Sequence, residues 1–428
     1  MSNLDTAKPP PHFKKEGDYH RLIFDGKPFL IIGGEIAPST SSSAASMARK
    51  WQDIKTLGLN TVLPPSPGRS LSRKKASSTQ TWSQILLLKR ERQESELYSL
   101  EQGLADILPT EEGSIDAWVL VPTAMISLFG PDFTTAEKTA FAEFVQQVET
   151  ADPDYDTTLM LQIGSEIGYS NCSRDRCDAV LTAHAWEEFA DDSEGTDQLL
   201  TTYHVASHIK TLAKIAKKAY LVPVIVNAAH EASEGKRYGG PLPKTLHLWK
   251  LFAPCIDLYA PRMFHPKYDE ICETWGSGAN QALLVQAHGR CEDDIRLIWS
   301  AFGSHGATGV VFSRIEDWGI WNPESHTIQH VNLLRQAGPF LLDAQDQDQP
   351  HIGIAYNGWD PEELHFTSGE FDITTSGRMT RHMYGLAISQ GNGKLLLFGH
   401  KFELEAESLN DDVVSTHILS CRELKVNE

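Results

Sequence analysis

Read for the spacing of apolar and polar positions, the chain falls into short, wholly apolar runs separated by longer amphipathic stretches. Leu22-Ile23-Phe24, a turn at Asp25-Gly26, and Phe29-Leu30-Ile31-Ile32-Gly33-Gly34 open the pattern. A run this apolar, without alternation, predicts a strand buried on both faces, as in a parallel sheet. Residues 45–57 have helical spacing, and Asn60-Thr61-Val62-Leu63 is a second buried run. Strand, helix, strand is the alternation of α/β proteins. Further on, Thr134-x-x-Glu137 reads as a capping box, Phe141, Phe144, Val145 and Val148 share one helical face, and Asp152-Pro153 ends that helix. Buried runs recur at residues 158–163, 222–227, 256–260, 282–285 and 309–312. A helix predicted over residues 203–220 turns Val205, Ile209, Leu212 and Ile215 inward. Counted from Phe29 the runs give seven strands, where a (β/α)8 TIM barrel needs eight. The predicted class is therefore α/β, a barrel over residues 18–345 that is disrupted at its third strand.

The pattern differs at both ends. Residues 1–17 are polar and proline-rich and read as a disordered or loosely docked N-terminal arm. Over residues 346–428 short strand-like runs replace the helices, among them residues 351–356, 364–374, 385–389 and 394–398. The last two flank Asn392-Gly393, a strong hairpin signal. This predicts a small all-β C-terminal domain.

Composition narrows the picture. The 428 residues are 41% hydrophobic and 22% charged, which excludes fibrous and wholly disordered chains. With 57 acidic against 38 basic residues the formal charge is −19, so neither nucleic acid nor an anionic membrane is an expected partner. The sequence does not specify an oligomer. Six cysteines are too few for a disulfide framework, and Cys172 and Cys177 lack a second pair at zinc spacing; no metal or cofactor is expected. The polar start has no apolar leader, and no run of eighteen apolar residues exists, so the default expectation is cytoplasmic. One oddity stands out: residues 66–92 hold seven Lys/Arg and a single acid, Glu91.

The segment richest in chemistry is Leu161-Gln162-Ile163-Gly164-Ser165-Glu166-Ile167-Gly168. A carboxylate at the end of a buried strand sits where barrel active sites are built, although it can equally cap the next helix. Several fragments then occur in a collinear order: Asp25-Gly26-Lys27-Pro28-Phe29, Gly33-Gly34-Glu35, Gly58-Leu59-Asn60-Thr61-Val62, residues 162–168, Ser173-Arg174-Asp175-Arg176, Val226-Asn227-Ala228, Gly240-Pro241-Leu242-Pro243, Ile298-Trp299 and Tyr384-Gly385-Leu386. Through them the chain resembles the glycoside hydrolase family 35-type β-galactosidases whose barrel is followed by a small β domain. The likeness runs along most of residues 11–340 and weakly to the end.

That resemblance implies a retaining exo-β-galactosidase-like enzyme acting on terminal β-galactosides. Its acid/base carboxylate ends strand four and matches Glu166; Ser165 stands where an Asn usually binds the sugar 2-hydroxyl. The nucleophile ends strand seven, within Leu284-Val285-Gln286-Ala287-His288. Aligned through His288 and Ile298-Trp299 it falls on Ala287; a slip of one residue puts it on Gln286. Neither is a carboxylate, whereas retaining hydrolysis needs two carboxyls about 5–5.5 Å apart. Glu292, Asp293 and Asp294 follow in the next loop. The implied substrate-binding positions are Glu35, Ser165, Arg174, Asn227, Phe264 and His288. Phe264 stands after strand six, where a Tyr is more usual. For Glu35 the alternative is a structural carboxylate, and for Arg174 a solvated charge run. The alternative to an enzyme is a non-catalytic sugar-binding pseudoenzyme, or the product of a decaying or mis-predicted gene.

The basic block bears on that alternative. After strand two the family has a Trp-Glu motif and a run like E-P-E-E-G-x-F-D, whereas residues 66–83 read S-P-G-R-S-L-S-R-K-K-A-S-S-T-Q-T-W-S. Codons can be chosen for these residues so that the frame one base earlier reads V-S-W-E-E-F-E-P-E-E-G-K-F-D-S-N-L-V. Glutamate codons read out of frame give Lys, Arg and Ser, which explains basic residues without nucleic acid. Residues 66–120 are therefore expected to be out-of-frame or disordered. A real insertion or a basic localisation signal is the alternative, and a continuous message encoding these residues in the written frame would decide for it.

Overall fold

The computed structural model describes residues 8–36, 57–63, 84–87, 119–121, 131–163, 193–230, 239–263, 267–288, 295–313, 315, 326–355, 363–376, 383–410 and most of 412–423. The predicted helix over residues 45–57 lies outside them, except for Leu57.

Three N-terminal strands, β1 (His12–Glu16), β2 (Tyr19–Phe24) and β3 (Lys27–Phe29), form a small antiparallel sheet. The arm expected over residues 1–17 thus contains a strand. Gly17 takes φ +57°, which lets the chain turn back so that Glu16 pairs with Tyr19 and the ladder zips up to His12–Ile23.

The main sheet follows: β4 (Ile31–Glu35), β5 (Thr61–Leu63), β6 (Gln84–Leu87), β7 (Val119–Val121), β8 (Thr158–Gln162), β9 (Val224–Ala228), β10 (Leu258–Met263), β11 (Leu284–His288) and β12 (Gly309–Ser313). Seven of these are parallel and lie in the order β5-β4-β12-β11-β10-β9-β8. This is a partial TIM barrel. The seven strands read from the sequence are these seven. Between β8 and β5, where a third parallel strand belongs, β6 runs antiparallel to both neighbours, and β7 pairs antiparallel with β6. Both β6 and β7 lie at or beside the stretch of residues 66–120; the rest of that stretch is outside the described residues.

Helices alternate with the strands: α1 (Pro131–Ala151), α2 (Ser193–Ala219), α3 (Leu246–Phe252), α4 (Tyr268–Trp275), α5 (Ile298–Gly303) and α6 (His326–Asp346). Thr134 does not cap α1, because the helix already starts at Pro131; proline suits a first turn, where its missing N–H is not needed. The face read from the sequence is buried, with Phe141, Val145 and Val148 inside the main core.

Alternation along each strand separates two cores. One face, with Ile32, Val62, Leu161, Val224, Val226, Tyr259, Val285, Ala287, Val310 and Phe312, packs against the helices. The other, with Ile31, Leu63, Met160, Ile225, Leu258, Ala260, Leu284 and Val311, packs with Leu22 and Phe24 of β2. Most of these inner residues lie in the N-terminal halves of their strands, so the small sheet covers that end and leaves the C-terminal end to polar side chains.

Two local devices hold this arrangement. Asn60 acts as a spare peptide group: its Oδ1 accepts from Ile32 N at 2.8 Å and its Nδ2 donates to Leu30 O at 2.7 Å. It thereby stitches the start of β4 to the turn before β5. At the end of α1 the Asp152 carboxylate accepts from the N–H groups of Asp156, Thr157 and Thr158 at 2.7, 3.1 and 2.7 Å, and from the Tyr220 hydroxyl at 2.9 Å. Burial beside this carboxylate pushes the Tyr220 hydroxyl pKa far up, so it stays a donor. Asp152→Ala strands these donors in a buried turn and is expected to cost about 2–4 kcal/mol, read as a lower urea midpoint at unchanged slope.

Beyond α6 come two three-stranded antiparallel sheets, β13-β16-β17 and β14-β15-β18. Their strands are β13 (His351–Ala355), β14 (Leu364–Ser368), β15 (Phe371–Ser376), β16 (Tyr384–Ser389), β17 (Leu395–His400) and β18 (Glu403–Ser408). Asn392 and Gly393 both take positive φ, 52° and 69°, as the hairpin signal between β16 and β17 requires. This β unit docks through Trp299 of α5, whose ring stacks on Tyr384 at 5.9 Å and whose indole N–H donates to His330 Nδ1 at 2.9 Å. β13 passes so close to α5 that a Cβ on Gly353 would overlap the Trp299 carbonyl oxygen.

Candidate functional site

At the C-terminal ends of the parallel strands the inner face becomes polar. By alternation it carries Glu35 on β4, Gln162 on β8, Asn227 on β9, Arg262 on β10, Gln286 on β11 and Ser313 on β12. Barrel enzymes build their sites at this end.

Three of these side chains form a chain of amides. Asn227 Nδ2 donates to Gln286 Oε1 at 2.5 Å, and Gln286 Nε2 donates to Gln162 Oε1 at 3.3 Å. Gln162 and Asn227 are almost wholly buried, at 1% and 4% exposure, while Gln286 is partly open. Asn227 Oδ1 is buried with no partner among the described residues. A buried acceptor left unpaired costs about 1–3 kcal/mol, which a ligand hydroxyl placed there would recover. Arg262 stands in register with Gln286 on the adjacent strand and shares its face.

Of the sequence-predicted residues, Glu35, Asn227 and the strand-seven segment are brought to this end of the sheet. Ala287, the aligned nucleophile position, lies in the core between sheet and helices, 1% exposed, and does not share the face of Asn227. Gln286 does. His288 ends β11 and pairs with Ser313 of β12 through the backbone. Ser165, Glu166, Arg174 and Phe264 lie outside the described residues. The sequence reading did not single out Gln162 or Arg262 as site residues. The signal was there: each is a lone polar residue at the end of an apolar run, two positions after an inward one.

Among the described residues no group of three His, Cys, Asp or Glu is placed to hold a metal ion, and no helix is long and apolar enough to cross a membrane. Cys255, Cys272 and Cys421 are free thiols.

Fold and polar strand ends together define a parallel α/β protein of partial-barrel type with a candidate site at its C-terminal face. Neither a family model nor a curated protein sequence matches the chain. Its structural neighbours are glycoside hydrolases. A β-glucuronidase from Parabacteroides merdae, with glycerol in its active site, shares 10% identity at a TM-score of 0.40, over 93% of this chain and 50% of that one. An endo-1,4-β-mannanase from Rhizomucor miehei shares 13% at 0.41, over 75% of this chain and 98% of that one. A family 42 β-galactosidase from G. stearothermophilus shares 10% at 0.41, over 74% and 57%. This chain spans about half the length of the P. merdae enzymes it is similar to. Likeness at this level assigns neither substrate nor mechanism.

Proposed function

We propose that the protein is a carbohydrate-binding barrel of glycoside-hydrolase type, whose polar mouth takes a terminal β-galactoside and which lacks the covalent step of retaining hydrolysis. The observation that carries this reading is the buried amide set at the strand ends, with Asn227 Oδ1 left as an open acceptor among the described residues. Amides are both donor and acceptor, which suits a ligand made of hydroxyl groups. Galactoside, as the particular sugar, comes from the family resemblance, as does the role of Glu166 in protonating the leaving glycosidic oxygen.

The described inner face offers an amide, not a carboxylate, at the end of strand seven. Without that carboxylate no glycosyl ester forms, and rate falls by several orders of magnitude. The expected result is measurable binding of a non-hydrolysable thio-β-galactoside by calorimetry, with turnover of an aryl β-galactoside at the background rate. A chain that binds no β-galactoside at millimolar concentration sinks the proposal; brisk turnover lost in Glu166→Gln sinks its non-catalytic half.

The alternative reading, the product of a decaying or mis-predicted gene, is not favoured by the sheet, since a strand does lie between β5 and β8 and pairs with both, although antiparallel to each.

A further inference from the structure

An edge strand offers an unpaired row of N–H and C=O groups, and proteins guard such edges with charge, proline or a covering element. Among the described residues the small antiparallel sheets keep this rule at nearly every outer strand. β1 carries Lys14, Lys15 and Glu16, β3 carries Lys27 and Pro28, and β18 turns Glu403, Glu405 and Glu407 outward. β14 turns out His365, which lies between Glu363 and Asp372. β13 is covered at the end of α5, where Gly353 N–H donates to Ser304 Oγ at 3.1 Å.

β17 departs from the rule. It reads Leu-Leu-Leu-Phe-Gly-His, without an acid, Lys, Arg or Pro, and among the described strands it pairs with β16 on one side only. Leu397 is 44% exposed, and Phe340 of α6, whose ring meets Phe398 at 5.6 Å, is 39% exposed. A strand laid along this edge would pair the open backbone groups and cover both side chains.

Charge decides which strand. Lys394 and Lys401, both exposed, bracket β17 with no acid between them. Antiparallel pairing of β17 with a second β17, Leu397 against Phe398, sets Lys394 of each copy opposite Lys401 of the other, and like charges directly opposite are destabilising. The segment after β18 has the complementary pattern: Asp411 and Asp412 lead into Val413-Val414-Ser415-Thr416-His417-Ile418-Leu419, rich in β-branched residues. Its described residues belong to no sheet, and Val413 and Ile418 are exposed. The Thr416 hydroxyl donates to Ala406 O and holds the segment beside β18. Laid along β17 in either direction, its acidic end meets one of the two lysines.

We propose that residues 411–419 of a second copy add as a strand to β17, each copy lending its segment to the other, so that the protein is a two-fold dimer. Reciprocal exchange closes the assembly, whereas one-way addition leaves an edge and a segment open and continues as a filament.

Sedimentation velocity of the full chain at micromolar concentration is expected to show the dimer. Leu397→Lys on the edge and Ile418→Lys on the segment are each expected to weaken it at least about tenfold. Both positions are exposed, so the circular dichroism should stay native. Mixing the two variants is expected to restore a dimer held at one junction, where the intact edge of one chain takes the intact segment of the other. Lys394→Glu with Lys401→Glu should also weaken the dimer, and adding Asp411→Lys and Asp412→Lys should restore it. A monomer overturns the proposal, whether the edge stays open or takes its own chain's segment. A dimer broken by Leu397→Lys but not by Ile418→Lys is β17 paired with β17, which overturns the choice of occupant. A dimer that neither variant weakens, or a mixture that stays monomeric, overturns it as well.

Discussion

Trp299→Ala is expected to cost about 3–5 kcal/mol, the range for emptying a large buried aromatic site. It should also separate the unfolding of the β unit from that of the barrel. Trp299 is fully buried, and its indole is sandwiched into the joint between α5, α6 and β16. Truncation opens a cavity, removes the stack on Tyr384 and leaves the His330 Nδ1 without its donor. His330 Nε2 already has no partner among the described residues, so the imidazole would then be unpaired at both nitrogens. Limited proteolysis followed by mass spectrometry should show early cutting between α6 and β13, around residues 347–350, in the variant. Equal stability and an unchanged digest would show that the joint carries no weight.

The same joint sets an acid limit. Burial, reinforced by the nearby His326, Arg296 and His400, pushes the His330 pKa down from 6.5 to about 3. In the unfolded chain this imidazole takes up a proton below pH 6.5; in the folded chain it does not until about pH 3. The unfolded state therefore binds more protons throughout that window, and stability falls as pH drops from 6.5 towards 3. The full excursion is on the order of 5 kcal/mol at about 1.36 kcal/mol per pKa unit. Unfolding free energies of the protein and of His330→Gln, measured from pH 7 to pH 4, should converge as the pH falls. Parallel curves would remove His330 from the account.

The parallel sheet was legible because its strands are buried on both faces and so carry an unbroken apolar signal. All seven parallel strands were read at nearly their observed positions. The hairpin at Asn392-Gly393 was legible because positive φ restricts the residues that can stand there. The start of α1 was misread: Thr134-x-x-Glu137 satisfies the spacing of a capping box, but Pro131 begins the helix a turn earlier. The ladder of β1 onto β2 was missed because its exposed lysines alternate with half-buried residues too weakly to stand out.

At the site the difficulty was one of phase. A shift of one residue turns a strand position from one face to the other. Alignment through His288 gives Ala287, which faces the helices, and a slip of one gives Gln286, which faces inward. Sequence spacing alone does not say which of the two faces inward; the hydrogen bond from Asn227 to Gln286 does. Residues 165, 166, 174 and 264, which the resemblance also nominated, are not among those described.

Asn60 illustrates a position fixed by the scaffold alone. Its side chain impersonates a peptide group, filling a donor and an acceptor that no neighbouring strand supplies. Aspartate would lose the donor, and glutamine would overshoot by one methylene. Trp299 and Tyr384, far apart in the chain, likewise form one stacked pair. Such positions answer to the geometry of the scaffold and are indifferent to whether any bond is cleaved in the mouth. A substitution at the polar strand ends can therefore leave these positions, and the scaffold they hold, unchanged.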